Sequence, residues 1–182
     1  LFRSNEVFCT GVRIPAENLI GEVNQGWRYA IAMLMNERVA LGASGNSLVS
    51  GRADVLIEAA RQAGRAHDPV LRQELADLHI REEVLRYVAL RVRAATQAGR
   101  APGPEGSIAK LAGSELVKRA AAVAGRIEGA RVTGWLADDE HAAKTVHSIL
   151  HAPSLSIAGG TSEIQRNIIA ERVLGLPKEP SA

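Results

Sequence analysis

The chain reads Ile157-Ala-Gly-Gly-Thr-Ser-Glu-Ile-Gln-Arg-Asn-Ile-Ile-Ala-Glu-Arg-Val-Leu-Gly-Leu-Pro177 near the end of its 182 residues. Ser162, followed three residues later by Gln165, fits a capping box, which marks the start of a helix. Gly175, with a proline two residues on, is a stop signal for that helix. The stretch therefore predicts a short C-terminal helix that begins directly after a Gly159-Gly160 pair.

The glycine pair has two interpretations. Because glycines carry no side chain, a ligand can approach the backbone N–H groups at the positive end of the helix that follows. The pair is also compatible with an ordinary tight turn, since glycine adopts turn conformations at no steric cost. The residues alone leave both interpretations open.

Composition excludes several classes of protein. Hydrophobic residues make up 46% of the sequence, which is enough for one core and one main domain. The 22 basic and 20 acidic residues alternate, and aromatic residues are only 3%, so we expect no nucleic-acid partner. No apolar run is long enough to span a bilayer, so we expect no membrane insertion. The single cysteine, Cys9, fits a cytoplasmic location.

The beginning of the chain has the pattern of a strand. From Val7 to Ile14 the residues alternate with period two, and Pro15 breaks the pattern. One strand is not stable alone, so we expect its partners upstream or in another chain. We therefore interpret residues 1–22 as the end of a β-domain and residues 23–182 as a helical domain.

From residue 27 onwards the apolar spacing becomes helical, and four helices are predicted. Asp68 as N-cap, with Pro69 in the first turn, opens the second helix, which ends near Gly99. The third helix runs from about Ser107 to Ile127, and the fourth from about Asp138 to His151. The predicted apolar stripes are Trp27, Leu34, Leu41, Leu48 and Val55 in a long first helix, Leu71, Leu78, Leu85 and Val92 in the second, and Ala112, Leu116, Ala120, Val123 and Ile127 in the third.

The predicted fold class is all-α. It is a four-helix up-down bundle with a short C-terminal helix, preceded by a remnant strand of an upstream β-domain. The helix stripes are longer and more apolar than one bundle requires, which favours a dimer or tetramer that forms through this domain. Three histidines, His141, His147 and His151, lack a carboxylate that would complete a metal set, so we predict no metal site.

Two charged residues, Glu37 and Arg38, flank the apolar stripe of the first helix. At 100° per residue they lie about 60° and about 40° to either side of Leu34. Such charges commonly form structural ion pairs. A carboxylate in an apolar, water-poor site is the alternative, because desolvation raises its pKa towards the range of a general base.

The segment Gly160-Thr-Ser-Glu-Ile-Gln-Arg166 closely resembles the corresponding segment of acyl-CoA dehydrogenases. In that family it lies beside the flavin and the acyl thioester. The strand-like beginning, which ends in Asn18-Leu-Ile-Gly-Glu22, and the Gly26-Trp27 pair also resemble the end of the family's middle β-domain and the start of its first C-terminal helix. The resemblance covers essentially the whole chain.

The resemblance implies a position for the catalytic base. Most members take it from a Glu directly before Gly-Thr, where this chain has Gly159. A minority, including isovaleryl-CoA and long-chain types, has Gly or Ala there and places the Glu in a Glu-Arg dipeptide of the long helix. This chain has both features, since Glu37 and Arg38 are such a dipeptide. We therefore predict that Glu37 is the base.

The resemblance also implies the remaining roles. The reaction is α,β-dehydrogenation of an acyl-CoA thioester, in fatty acid metabolism, with FAD as cofactor and electron-transfer flavoprotein as electron acceptor. Arg38, Gly159 and Gly160 would contact the substrate, with the N–H of Gly159 at the thioester oxygen. Thr161 and Glu163 would contact the cofactor. Lys110 occupies a matching Ala-Lys and is interpreted as structural.

Two family segments are absent. An Arg-x-x-Phe-Gly is replaced by Ala60-Arg-Gln-Ala-Gly-Arg-Ala-His67, where Arg61 or Arg65 could substitute. A Gln-x-x-Gly-Gly-x-Gly is replaced by Val123-Ala-Gly-Arg-Ile-Glu-Gly129. These departures keep two alternatives open: a non-catalytic or half-site subunit of a heteromeric dehydrogenase, and a helical interaction module that has lost the cofactor. We expect the chain to be inactive by itself.

Overall fold

The computed structural model describes residues 6–44, 52–100, 103–134, 136 and 138–178. All regular structure in these ranges is helical and no strand is formed there, so the predicted all-α fold class is confirmed. The α-helices are α1 (Gly26–Ser44), α2 (Ala53–Gln62), α3 (Pro69–Gln97), α4 (Gly106–Glu128), α5 (Ala130–Thr133), α6 (Glu140–His151) and α7 (Ser162–Ile168). Two 3₁₀ turns, Ala16–Asn18 and Ala152–Ser156, and one π-helical turn, Ile169–Val173, complete the described elements.

The chain divides into two compact units, Leu1–Met33 and Leu34–Ala182. In the first unit, residues 6–14 have irregular, exposed backbone instead of the predicted strand. A strand needs a neighbour to satisfy its N–H and C=O groups, and the described residues supply none. The predicted Gly26-Trp27 helix start is confirmed by α1.

The core of the second unit lies between α2, α3 and α4. Its buried side chains include Leu56 of α2, Leu78 of α3 and Val123 of α4. Leu71, the first residue of the predicted second stripe, is also buried, whereas Ala112 of the third stripe is exposed. The hydrophobic effect, at about 25 cal/mol per Å² of buried apolar area, is the main stabilising force of this unit.

Polar contacts fix the antiparallel arrangement of these helices. The backbone N–H of Ala53, at the start of α2, donates to Glu82 in the middle of α3 at 3.1 Å. Asp77 of α3 pairs with Arg119 of α4 at 2.7 Å. Near the end of α4, Arg126 pairs with Glu74 at the start of α3. The up-down order of the predicted bundle is therefore present in α2, α3 and α4.

The second helix start was predicted correctly. The carboxylate of Asp68 accepts from the N–H groups of Val70 and Leu71 at 3.0 and 3.1 Å, and Pro69 occupies the first turn. The helix ends at Gln97, close to the predicted Gly99. Because proline has no N–H to lose, it suits this position.

The prediction of one long first helix was wrong. The backbone of Arg52 is extended, with φ −73° and ψ 136°, so α2 starts anew at Ala53. Gly45 and Gly51, which precede it in the sequence, weaken helices intrinsically. Of the predicted first stripe, Trp27 is 79% exposed and Val55 is 43% exposed, while Leu41 and Leu48 lie outside the described side chains. Among the described helices, none is both long and apolar enough to cross a membrane.

Candidate functional site

The Gly159-Gly160 turn follows α6 and the 3₁₀ turn after it. The carbonyl of Ser154 accepts from the N–H groups of Ile157 and Ala158 at 3.0 and 2.9 Å. These hydrogen bonds hold the segment that leads into the turn. Gly159 and Gly160 then have φ of 67° and 95°. Only glycine adopts such backbone readily, so the sequence dictates the sharp change of direction before α7.

The start of α7 differs from the predicted capping box. Thr161 is the N-cap, and its hydroxyl oxygen accepts from the N–H of Ile164 at 3.4 Å. The hydroxyl of Ser162 is buried within the first turn. The side chain of Gln165 reaches the turn itself, since its Nε2 donates to the carbonyl of Gly159 at 2.8 Å and to that of Gly160 at 3.3 Å. The helix was predicted correctly, but its cap was placed one residue too late.

A second side chain holds the same turn from α4. The Lys110 Nζ donates to the carbonyl oxygen of Gly160 at 2.6 Å, and Lys110 is only 5% exposed. Burial lowers the pKa of this ammonium below its ordinary value, while the negative charges of Glu163 and Glu115 oppose that shift. A buried charge is tolerated only where it is compensated; here the Gly160 carbonyl accepts a hydrogen bond from it, and the two carboxylates act on it at longer range.

The positive φ of Gly160 and the close packing of Gln165 against it both favour glycine at this position. A Cβ atom at this position would lie 2.8 Å from the Nε2 of Gln165, inside normal contact distance. The missing side chain therefore makes room for the amide that binds the turn. Of the two interpretations of the glycine pair, the tight turn is shown at Gly160, and access for a ligand stays a prediction.

Glu163 lies in the first turn of α7 with an exposed side chain. The pKa of its carboxyl is below the ordinary value, because the carboxylate accepts from its own backbone N–H and from the Thr161 hydroxyl. Arg166 approaches it to 3.6 Å. The carboxylate of Glu163 is thus kept ionised and is an exposed hydrogen-bond acceptor directly after the glycine turn.

Two buried polar atoms next to this turn lack a partner among the described residues. They are the hydroxyl oxygen of Ser162 and the Oε1 of Gln165. Buried oxygens of this kind normally have a hydrogen-bond partner. This corner of the molecule therefore has hydrogen-bonding capacity left for water or for a bound group.

The structure brings together Gly159, Gly160, Thr161 and Glu163 in one turn. Glu37 lies on α1, where its side chain is exposed, so the described residues do not give it the water-poor environment expected of a base. Arg38 follows it in α1, and its side chain is outside the described part of the chain. Among the described contacts of the turn, none involves Glu37.

The segments that replace the two missing motifs serve the bundle. The Arg65 guanidinium donates to the carbonyl of Arg126, near the C-terminal end of α4, and pairs with Asp68 at 3.1 Å. Arg61 pairs with Glu58 on α2 at 3.3 Å. In the second segment, Val123 and Ile127 are buried in the core. The residues that could substitute for the family motifs therefore have structural partners within this chain.

The sequence interpretation underestimated Lys110 and Gln165. Lys110 was assigned no role at the turn, and Gln165 was assigned to a cap. The available signal was the spacing of Ser107, Lys110 and Ser114, which form one buried stripe of α4 with a lysine in its middle. A lysine among small residues on a buried helix face indicates a specific partner opposite it.

The domain is a helical bundle with antiparallel helices. A fixed glycine turn precedes its short terminal helix. A family model described as the acyl-CoA dehydrogenase C-terminal domain matches residues 24–174. The chain belongs to the acyl-CoA dehydrogenase family, of which it forms the C-terminal helical domain.

Individual relatives agree with this assignment. Acyl-CoA dehydrogenase IpdE1 of Mycobacterium tuberculosis is 35% identical over 179 residues, covering 96% of this chain and 44% of that protein. Acyl-CoA dehydrogenase IpdE1 of Mycolicibacterium smegmatis is 32% identical over 176 residues, covering 96% and 43%. A solved variant of the Tcur3481-Tcur3483 steroid ACAD matches with a TM-score of 0.78 at 25% identity, covering 93% of this chain and 45% of that chain. The chain spans less than half the length of these relatives.

Proposed function

We propose that this chain is the C-terminal part of a flavin-dependent enzyme that introduces an α,β double bond into an acyl-CoA thioester. The observation that supports the proposal best is the fixed Gly159-Gly160-Thr161 turn in a domain of the acyl-CoA dehydrogenase family. A turn whose carbonyls are held by buried donors keeps its geometry when a substrate binds, which is what stabilisation of a developing charge requires.

Glu37 takes the α-proton in this proposal. Its exposure on α1 gives it access to a substrate, and the relatives contain more than twice the length of chain described here. The water-poor surroundings of the base would come from those further segments or from a second subunit. Once desolvated, the carboxylate gains basicity, because burial disfavours its charged form. Arg38, the next residue of α1, would line the substrate side.

The N–H of Gly159 donates to the thioester oxygen in this proposal. Negative charge develops on that oxygen as the α-proton leaves, so a donor already in place stabilises the transition state more than the ground state. The N–H lies between two fixed points, the Ser154–Ala158 hydrogen bond at 2.9 Å and the Gly159–Gln165 hydrogen bond at 2.8 Å. Gly160 adjoins it on the acyl side.

FAD is the proposed cofactor, and the turn fits a polar, hydrogen-bonding group. The unused hydroxyl oxygen of Ser162 and the ionised carboxylate of Glu163 offer acceptors, and the Thr161 hydroxyl, whose hydrogen is donated to Glu163, adds an oxygen that can accept. Thr161 and Glu163 would therefore hold the cofactor. The chemistry that FAD supplies when bound is acceptance of the hydride from the β-carbon.

The partners follow from this reaction. We propose an acyl-CoA substrate and an electron-transfer flavoprotein as electron acceptor, in the cytoplasm. We also propose a dimer or tetramer that forms through the helical domain. The relatives named IpdE1 are called acyl-CoA dehydrogenases, and one solved relative is called a steroid ACAD, so a substrate panel should include both fatty acyl and steroid-type thioesters.

The test is flavin reduction by the complete parent protein. It should purify with the yellow absorbance of bound flavin, and an acyl-CoA from the panel should bleach that absorbance under anaerobic conditions. The matching α,β-unsaturated thioester should appear in equal amount by mass spectrometry. A flavin that no acyl thioester reduces would contradict the proposal.

A half-site subunit of a heteromeric dehydrogenase is the second candidate. It is favoured by the segment 123–129, where Val123 and Ile127 are buried in the core and Arg126 is paired with Glu74. Flavin binding only after co-expression with a second subunit would support this candidate. A parent protein that binds no flavin in either preparation would indicate a helical interaction module instead.

A further inference from the structure

The Gly159-Gly160 turn is held by two buried donors from different helices. Gln165 of α7 is fully buried and donates to both glycine carbonyls, at 2.8 and 3.3 Å. Lys110 of α4 donates to the second carbonyl at 2.6 Å across 50 residues of sequence. We call these two side chains and the two carbonyls the carbonyl clamp.

The clamp restrains the part of the backbone that is otherwise easiest to rotate. Both glycines have positive φ, and glycine has more accessible conformations than any other residue. In a trans peptide the C=O and N–H point in opposite directions. Holding the carbonyls of Gly159 and Gly160 therefore fixes the 159–160 and 160–161 peptides, and the Gly159 N–H belongs to the peptide directly before them.

We propose that Lys110 and Gln165 are positioning residues of the dehydrogenation, acting through the carbonyl clamp to keep the Gly159 N–H aimed at the thioester oxygen. This inference rests on the proposed function. Upstream, the N–H of Ala158 donates to the carbonyl of Ser154, which holds the peptide that precedes the one carrying the Gly159 N–H. Downstream, the clamp restrains the other side, so removal of either clamp donor loosens the turn there.

Replacement of Lys110 distinguishes positioning from stability. Lys110→Met keeps most of the side-chain volume, removes the ammonium and leaves the second carbonyl to Gln165 alone. Because an apolar side chain in place of a buried charge is frequently neutral or stabilising, the melting temperature should change little. A misplaced donor lowers the rate instead, by roughly 10- to 100-fold in kcat, with KM for the acyl-CoA changed less than about 3-fold.

The experiment uses the complete, flavin-loaded parent protein. Lys110→Met is compared with Lys118→Met, the same change two turns along α4, where Lys118 is half-buried and pairs with Glu115 at 2.8 Å. Gln165→Leu removes the other donor and gives a second reading should Lys110→Met fail to fold. We expect kcat to fall in Lys110→Met and in Gln165→Leu, and to stay at the wild-type value in Lys118→Met. Wild-type kcat in a folded Lys110→Met or Gln165→Leu variant, or an equal loss in Lys118→Met, would overturn the inference.

Amide hydrogen exchange tests the clamp without relying on activity. Peptides that cover residues 157–168 should exchange several-fold faster in Lys110→Met or Gln165→Leu than in the wild type or in Lys118→Met. Unchanged exchange in the two clamp variants would refute the clamp even if the enzyme is active. If the wild-type parent reduces no flavin but the two clamp variants exchange faster, the proposed function fails and the positioning role with it, while the clamp itself stands.

Discussion

The Lys110 Nζ lies 2.6 Å from the carbonyl oxygen of Gly160, so a buried ammonium of α4 and a glycine turn 50 residues later form one unit. The contact places a positive charge where water is largely excluded. It is compensated by a neutral carbonyl and by the carboxylates of Glu163 and Glu115 at longer range. The free energy of this arrangement must therefore depend on the protonation of Lys110.

The stability of the folded chain should respond to pH through Lys110. Its folded pKa lies below the ordinary value of 10.5, so the unfolded chain binds more protons between the two values. Stability from this group therefore rises as pH increases through that window, and is lowest below the folded pKa. The difference in melting temperature between wild type and Lys110→Met should become more favourable to the wild type from pH 7 to pH 10.5. The same comparison with Lys118→Met should vary much less with pH, because Lys118 contributes only part of the electrostatic effect that lowers the pKa of Lys110, and a parallel course of the two curves would contradict the prediction.

Removal of a core side chain should destabilise the bundle strongly. Leu78 of α3 is 1% exposed and packs in the core formed by α2, α3 and α4. Leu78→Ala loses buried apolar area and leaves a cavity, so the free energy of unfolding should fall by about 2–5 kcal/mol. Ile80→Ala, on the same helix at a position that is 61% exposed, should change it by less than about 0.5 kcal/mol. Urea denaturation of the chain measures both.

The N-cap of α3 should stabilise the fold only above acidic pH. The pKa of Asp68 is lowered by hydrogen bonds from the Leu71 N–H and from Arg65. A lowered folded pKa means that stability is present above the ordinary value of 3.8 and is lost as pH falls through the folded pKa. Asp68→Ala should lower the melting temperature by several degrees at pH 7 and by much less near pH 2. Asp138→Ala, an exposed aspartate, is the control and should show no such convergence.

Most of the helices could be predicted from the sequence, because the residues that start and stop a helix are close to it in the chain. The Asp68-Pro69 start, the third helix and the glycines before α7 depend on neighbours in the chain. The interruption before Ala53 was missed, because a seven-residue apolar spacing continued across it while the backbone at Arg52 became extended. Spacing reports which residues favour burial, and it does not report where a helix stops.

The site was only half predictable for the same reason. Gly159, Gly160, Thr161 and Glu163 are consecutive in sequence apart from one residue, and the structure gathers them in one turn. The contact from Lys110 spans 50 residues, so only the packing of α4 against the turn reveals it. Glu37 stays a prediction, since its proposed partners belong to other segments.

The chain alone should be helical but should not hold FAD. In the proposed function the turn contacts only one part of the cofactor, and the replaced segments 60–67 and 123–129 have their own partners in the bundle. Circular dichroism should show a helical spectrum, while titration with FAD should show no stoichiometric binding at submicromolar concentration. Tight, saturable binding by the isolated chain would disprove this expectation.

Replacement of Glu37 tests whether this residue is the catalytic base. If Glu37 takes the α-proton, Glu37→Gln in the complete enzyme should keep the fold and the flavin but lower the rate of flavin reduction by about 10²–10⁴, because an amide cannot accept the proton. Stopped-flow reduction by a panel of acyl-CoA substrates measures the rate. Glu140→Gln, a carboxylate-to-amide change at a side chain that is 88% exposed on α6, should reduce its flavin at the wild-type rate.

The two alternative positions of the catalytic Glu in the family, which correspond to Glu37 and Gly159 here, allow a stricter test. Most members place the carboxylate at the position of Gly159, from which it approaches the same carbon, so Gly159→Glu added to Glu37→Gln should restore part of the activity. The restoration must be incomplete, because Gly159 has a φ of 67°, which strains any residue with a Cβ. A shift in chain-length preference should accompany it, since the new base enters from another side. If Glu37→Gln reduces its flavin at the wild-type rate with every substrate that the wild type accepts, Glu37 is half of a structural ion pair, and the half-site candidate takes precedence.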